Sequence, residues 1–158
     1  MNEYRVTKYD PSFRVNDRYI SDEWTSIADV GRSFDGQNFC MEDYEQAEKR
    51  HIDFLCELAD MCGAFSLRVN ALETHCSVSY QEEQTISRKE LSAIIRANLR
   101  EQCWCRLVGE SFFIHFGYDY YMYVGCDLLF EDIAPLANKY ELFCERFISP
   151  YHDEEENI

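Results

Sequence analysis

Cysteine and histidine are the residues of this chain most able to bind a metal or act as nucleophiles, and there are eight cysteines and four histidines. Cys103 and Cys105 are the closest pair, with Trp104 between them. Alternate side chains of a β-strand share a face, so the spacing predicts both thiols on one face and Trp104 on the other. No CxxC spacing typical of zinc fingers occurs. We predict free thiols that pack as small hydrophobes and no bound metal. A zinc or thiol-redox site that adds His115 or Cys126 is the alternative.

His115 and Asp119 flank a tight turn and are the best candidates for an acid–base pair. Strand geometry does not require them to face each other, and no nucleophile with a partnering base can be named from spacing. Phosphate loops, Rossmann glycines, zinc-protease motifs and serine-hydrolase motifs are absent from the sequence. The sequence therefore favours a binding protein without a cofactor. A small cytosolic enzyme that uses His115 or His51 with acidic partners is the alternative.

The charge of the chain indicates the kind of partner. It carries 30 acidic and 15 basic residues, a net charge of −15, yet 46% of it is hydrophobic and 15% aromatic. This apolar content suffices for a core, while the negative surface repels nucleic acid and anionic lipid and attracts basic proteins. No apolar stretch approaches the ~20 residues of a membrane span, and the N-terminus lacks a secretory signal. We expect a cytosolic protein with reduced thiols that binds neither nucleic acid nor membranes.

An aromatic hairpin over residues 112–123 is the predicted binding surface, because it combines an acidic residue with several tyrosines. Tyrosine offers a rigid apolar surface and a hydroxyl, which suits interface hot spots. Two acidic clusters elsewhere extend the prediction, although taken singly each is better explained as a solvated helix N-terminus. The candidate partner-binding residues are Tyr118, Asp119, Tyr120, Tyr121, Asp22, Glu23, Trp24, Asp127, Glu131 and Asp132. The structural alternative is a hairpin whose aromatic side chains fill a sheet face.

Hydrophobic periodicity predicts two main helices and a sheet. Three-four spacing predicts a helix over Met41–Met61 that ends at Gly63. Ser87 and Glu90 match a capping box that opens a second helix over Arg88–Glu101. Alternation predicts strands over residues 3–9, 65–73, 103–108, 112–116, 120–124 and 141–147. We predict an α+β fold in one domain of residues 1–151, with a mostly antiparallel β-sheet of five or six strands packed against two main helices. Residues 152–158 are predicted to be an acidic, disordered tail.

Three details of the fold are predicted from shorter patterns. Ser21 to Trp24 has the sequence of a helix N-terminus, with acidic residues in the first turn. Residues 128–139 have a helical pattern that Pro135 interrupts, so the helix either begins near Ala134 or is kinked. The strands between residues 103 and 124 are expected to form a three-stranded meander.

Four segments resemble a family of small bacterial proteins and are similar, as a class, to the acidic immunity proteins of contact-dependent and other polymorphic toxin systems. The segments are Tyr4–Tyr9, Asp22–Ser26, Asp29–Gly31 and His115–Tyr123. The resemblance implies a cytosolic protein that binds and blocks a cognate toxin domain in a 1:1 complex. It assigns a role to no individual residue.

The charge of the chain is compatible with this implication. Toxins of such systems are often nucleases, and a nuclease is basic where it holds phosphates. An inhibitor that presents carboxylates there mimics the charge of the substrate and associates rapidly. A scaffold or oligomerisation module is a further alternative that the sequence leaves open.

Overall fold

The computed structural model describes residues 1–16, 18–19 and 22–153. Three α-helices and eleven strands lie in this part of the chain. The helices are α1 (Met41–Met61), α2 (Leu91–Leu99) and α3 (Phe130–Lys139). The strands are β1 (Asn2–Thr7), β2 (Arg14–Val15), β3 (Arg18–Tyr19), β4 (Ser33–Phe34), β5 (Gln37–Asn38), β6 (Ser66–Thr74), β7 (Thr85–Ser87), β8 (Cys103–Val108), β9 (Phe113–Phe116), β10 (Met122–Cys126) and β11 (Phe143–Arg146).

Seven of these strands form one antiparallel sheet in the order β11-β1-β10-β9-β8-β6-β7. The pairs β2–β3 and β4–β5 are separate small hairpins. The predicted α+β class, the antiparallel sheet and the β8-β9-β10 meander are confirmed. The sheet has seven strands rather than five or six, because the short β7 lies in a polar stretch where Ile86 is its one buried residue.

Helix α1 spans Met41–Met61, as the periodicity predicts. Its inner face buries Tyr44, Leu55 and Leu58 completely, and burial of an apolar stripe is what stabilises such a helix in a domain. Gly63 follows with a φ of 67°. That left-handed conformation favours glycine just after a helix, so the predicted end of α1 is also confirmed.

Helix α2 begins at Leu91, three residues later than predicted. Residues 88–90 form a turn instead, which follows the pairing of Thr85–Ser87 with β6 as strand β7. The Ser87 backbone N–H still donates to the Glu90 carboxylate at 2.7 Å, which is one half of the predicted capping box.

Helix α3 is a third helix, and it begins at Phe130 with Pro135 inside it. Of the two predicted arrangements, a start near Ala134 is therefore wrong, and the helix continues through Pro135. Proline lacks the N–H that would bond to the carbonyl four residues earlier. Burial of Ile133 and Ala137 on both sides of Pro135 offsets that loss, since both are fully inaccessible to solvent.

The helix predicted to start around Asp22 is not formed. A 3₁₀ turn over Ile27–Asp29 is the helical element here, and the Ser26 hydroxyl caps it by accepting the Ala28 N–H at 3.1 Å. The Asp29 carboxylate accepts the Thr25 N–H at 2.8 Å, so local side-chain bonds organise this segment. Ser21 lies outside the described residues.

The three helices cover one face of the sheet, where strand and helix residues share a single hydrophobic core. Cross-strand pairing aligns a polar row on the opposite face, here called the far face. The row consists of Glu145, Arg5, Tyr123, His115, Arg106 and Asn70. The chain after β11 crosses this row and buries its centre, since His115 is 3% exposed and Arg106 is 7% exposed.

Two residues of the predicted tail take part in this crossing. His152 Nε2 lies 2.9 Å from the Glu3 carboxylate, and Asp153 forms an ion pair with Arg106 at 2.9 Å. His152 and Asp153 are therefore bound to the sheet. Residues 154–158 of the tail lie outside the described residues.

Candidate functional site

The candidate site is built on the turn between β9 and β10, which hydrogen bonds close and attach to the rest of the fold. The Gly117 N–H donates to the Tyr121 carbonyl at 2.7 Å and closes the turn. Asp119 and Tyr120 have φ values of 58° and 68°, in the left-handed region that non-glycine residues rarely adopt. This conformation turns Tyr118, which is 85% exposed, and the exposed Asp119 outward.

The turn is held by Tyr120, which points into the core. Its hydroxyl donates to the Leu99 carbonyl at 2.9 Å, and burial raises the pKa of the phenol. The rings of Trp24, Tyr44 and His51 pack around it, with centroids 5.2, 6.0 and 5.4 Å away. Tyr120 is 5% exposed, so its side chain offers almost no surface to a partner.

The predicted cluster of Asp22, Glu23 and Trp24 lies beside the turn, but its charges have internal partners. Glu23 forms an ion pair with Lys8, whose Nζ also lies 4.1 Å from the Trp24 ring. Burial lowers the pKa of Lys8 to about 8. The Asp22 carboxylate accepts the Asp35 N–H at 2.9 Å. The cluster therefore supports the turn through Trp24, which packs against the buried ring of Tyr120.

Tyr121 is half-buried between cations on the far face of the sheet. The guanidinium carbons of Arg5 and Arg14 lie 5.6 and 5.9 Å from its ring centre. Tyr9 packs on it at 5.6 Å and donates its hydroxyl to the Asp119 carbonyl at 2.6 Å. These contacts fix both ends of the turn to β1 and the segment that follows it.

The other predicted acidic cluster lies at the opposite end of β10. Asp127, Glu131 and Asp132 are exposed, and strand β10 separates Asp127 from Tyr121. At ~3.3 Å per residue that distance is about 20 Å. The structure therefore places Tyr118, Asp119, Tyr120 and Tyr121 on one turn, packs Trp24 against Tyr120 and leaves the second acidic cluster apart.

A groove of about 560 Å³ lies at that second end, next to strands β1 and β11. Its wall includes the exposed apolar residues Leu129, Phe147 and Ile148. Arg146 also lines it, with its guanidinium carbon 5.2 Å from the Phe130 ring centre. The positive charge of Arg146 makes this groove a poorer match for a basic partner than the turn.

Two further carboxylates near the turn, those of Glu73 and Glu101, are not among the residues predicted from the sequence. Glu101 lines the same small crevice as Asp119. Glu73 and Tyr118 line the adjoining cavity. All four are exposed, and in the described part of the chain none of the three carboxylates has an ion-pair partner. The hairpin surface is defined as Glu73, Glu101, Tyr118 and Asp119.

The candidate acid–base pair is not assembled. His115 lies under the crossing chain on the far face, where its Nδ1 is 2.7 Å from the Ser149 hydroxyl and its ring stacks on Phe113. Burial, with the nearby charges of His152 and Arg106, lowers the pKa of His115 to about 3. Asp119 is exposed on the turn and shares no hydrogen bond with this imidazole.

The thiol pair has the predicted arrangement, with Cys103 and Cys105 buried on one face and Trp104 on the other. Asn98 binds this strand by accepting the Cys105 N–H at 3.0 Å. His115 belongs to the opposite face, so it cannot join the two thiols at a common ion. The eight cysteines are free, and no group of three or more potential metal ligands occurs within the described ranges.

Comparison of the chain with protein-family models, curated proteins and solved structures finds no match. None of the helices that the structure describes combines the length and apolar character needed to cross a bilayer.

Proposed function

We propose that this chain is an immunity protein, which binds a basic toxin domain in the cytosol through the hairpin surface and so neutralises it. The observation that carries the proposal is a set of three exposed carboxylates without ion-pair partners beside the turn that presents the Tyr118 ring. Glu101 and Asp119 line one crevice at this turn, and Glu73 and Tyr118 line the adjoining cavity. Other acidic residues close to the core, such as Glu48 and Glu145, form ion pairs within the chain.

The physical role of these groups follows from their exposure. Carboxylates at the surface steer a positively charged partner into the encounter and raise the association rate, especially at low salt. An exposed tyrosine on a fixed turn adds apolar contact area at a small entropic cost. A nuclease is the favoured target, because the surface that binds phosphates also binds carboxylates.

The test is co-expression with a toxic domain encoded immediately upstream of the gene for this chain. We expect growth to be rescued by this chain and the purified proteins to form a 1:1 complex. We also expect the association rate to fall steeply with salt, while the dissociation rate changes little. A toxic domain that neither binds this chain nor is neutralised by it would refute the proposal.

A further inference from the structure

Three aromatic rings and one carboxylate surround a cavity of about 210 Å³ beside the hairpin turn. This group, here called the aromatic cage, consists of Glu73, Trp104, Tyr118 and Tyr151, and His75 and Gly117 complete the wall. The volume holds several water molecules, each of which takes roughly 30 Å³ in the liquid. The cavity is therefore large enough for the head of a cationic side chain.

Strand pairing and the crossing chain position Glu73, Trp104 and Tyr151 independently of any ligand, and the turn supplies the exposed Tyr118 ring. Pairing of β6 with β8 places Glu73 opposite Trp104, whose indole N–H donates to the Phe116 carbonyl at 2.6 Å. Tyr151 arrives with the crossing chain, and Arg106 holds its carbonyl at 2.8 Å. The rings of Trp104 and Tyr151 meet at 59° with centroids 5.6 Å apart, so they form a corner rather than a stack.

The chemistry of the cage suits an organic cation. The faces of aromatic rings attract ammonium and guanidinium groups, and a neighbouring carboxylate adds to that attraction. Within the chain, lysine and arginine already use this interaction, as Lys8 does over Trp24 and Arg5 does over Phe147. In the described part of the chain, no lysine or arginine lies over the three rings of the cage.

We infer that the aromatic cage binds a lysine or arginine side chain of the partner protein. The inference rests on the proposed function, because the basic character of the partner supplies the cation. Glu73 and Tyr118 belong to both the cage and the hairpin surface, so one basic residue of the partner would be enclosed while its neighbours meet Glu101 and Asp119.

The first test uses small probes and no partner. Choline and 3,3-dimethylbutan-1-ol have the same shape and differ in charge, and the Trp104 indole N–H resonance reports on the cage, with that of Trp24 as the reference. We expect choline to shift the Trp104 resonance saturably and to bind roughly tenfold more tightly than the neutral alcohol. Nα-acetyl-lysine methylamide and Nα-acetyl-arginine methylamide should compete with choline. Equal binding of choline and the alcohol, or no saturable shift, would overturn the cage.

Two variants at exposed positions localise the effect without disturbing the core. Glu73→Gln and Tyr118→Leu should each weaken choline binding several-fold, whereas Phe65→Leu, which alters an exposed ring elsewhere, should leave it unchanged. The same Tyr118→Leu variant should weaken the toxin complex. If choline binds but Tyr118→Leu leaves the affinity for the toxin unchanged, the cation does not come from the partner and the inference is contradicted. If choline does not bind, the cage is overturned, while the neutralisation test still decides the proposed function separately.

Discussion

Acidification from about pH 7.5 to about pH 5 should destabilise the fold through two buried histidines. His51 is fully buried, and its Nδ1–H donates to the Ala47 carbonyl at 2.6 Å. Its Nε2 is buried and has no hydrogen-bond partner among the described residues. Protonation would place an uncompensated charge in the core, so burial lowers the pKa of His51 from 6.5 to about 4. Burial is also the main reason why the pKa of His115 is lowered from 6.5 to about 3.

The sign of the effect follows from where each state takes up its proton. In the unfolded chain a histidine protonates near pH 6.5, while in the fold His51 and His115 stay neutral down to about pH 4 and pH 3. Between these limits the unfolded state binds more protons. The free energy that these two histidines contribute by staying neutral in the fold is therefore fully present above pH 6.5. It is lost as pH falls toward their pKa values in the folded state.

The expected loss is about 2 kcal/mol per histidine at pH 5, because about 1.5 pH units separate pH 5 from the unfolded pKa and each unit is worth ~1.4 kcal/mol. Together the two groups would remove about 4 kcal/mol, a large part of a typical stability of 5–15 kcal/mol. Burial alone would raise the pKa of Glu48, but hydrogen bonds from Arg100 and Arg96 outweigh it and lower that pKa, so this buried acid titrates mainly below the window.

Urea unfolding followed by circular dichroism at several pH values measures this loss directly. His51→Gln and His115→Gln should each remove about half of the pH dependence, whatever they cost at pH 7.5. A free energy of unfolding that stays constant within about 0.5 kcal/mol between pH 7.5 and pH 5 would refute the reasoning.

Three further predictions test packing, charge and thiol accessibility. A Cβ atom at Gly125 would lie 2.2 Å from the Phe113 ring, so Gly125→Ala should lower the free energy of unfolding by about 1–3 kcal/mol in urea titrations; an unchanged value would contradict this packing. Glu48→Gln should cost about 2 kcal/mol by the same assay, since this carboxylate is 4% exposed and binds two arginines; a loss below ~0.5 kcal/mol would contradict the ion pairing. Cys40 and Cys76 are exposed and should react first with a thiol reagent, as peptide mapping by mass spectrometry would show; earlier modification of the buried thiols would contradict their burial.

The elements that the sequence predicts well are those whose signal is local. The three-four spacing of apolar residues in Met41–Met61, the glycine at Gly63 and the alternation in Cys103–Val108 each lie within a few turns or one strand. These patterns depend on the period of one element, so no knowledge of its neighbours is needed. Of the two arrangements predicted around Pro135, the start near Ala134 is wrong, because burial of the surrounding residues outweighs the local preference of proline.

The candidate site was predicted in part, because its members come from distant segments. Tyr118 and Asp119 are exposed at the turn, as a binding role requires. Glu73 reaches them only through the pairing of β6 with β8, and Tyr151 only through the chain that crosses the far face. Strand order is not encoded in any single stretch of sequence. The inward position of Tyr120 depends on two consecutive left-handed residues, for which the tyrosine-rich turn gives no signal.

The central claim is that the hairpin surface binds the toxin domain. A comparison of two charge-matched variants tests it most directly. One variant, Glu73→Gln/Glu101→Gln/Asp119→Asn, neutralises the hairpin surface. The other, Asp127→Asn/Glu131→Gln/Asp132→Asn, removes the same charge about 20 Å away. The measurement is the dissociation constant for the toxin domain that this chain neutralises in co-expression, by calorimetry at fixed ionic strength. We predict at least a roughly tenfold loss of affinity for the first variant and a much smaller change for the second. Equal losses, or a larger loss for the second variant, would contradict the claim.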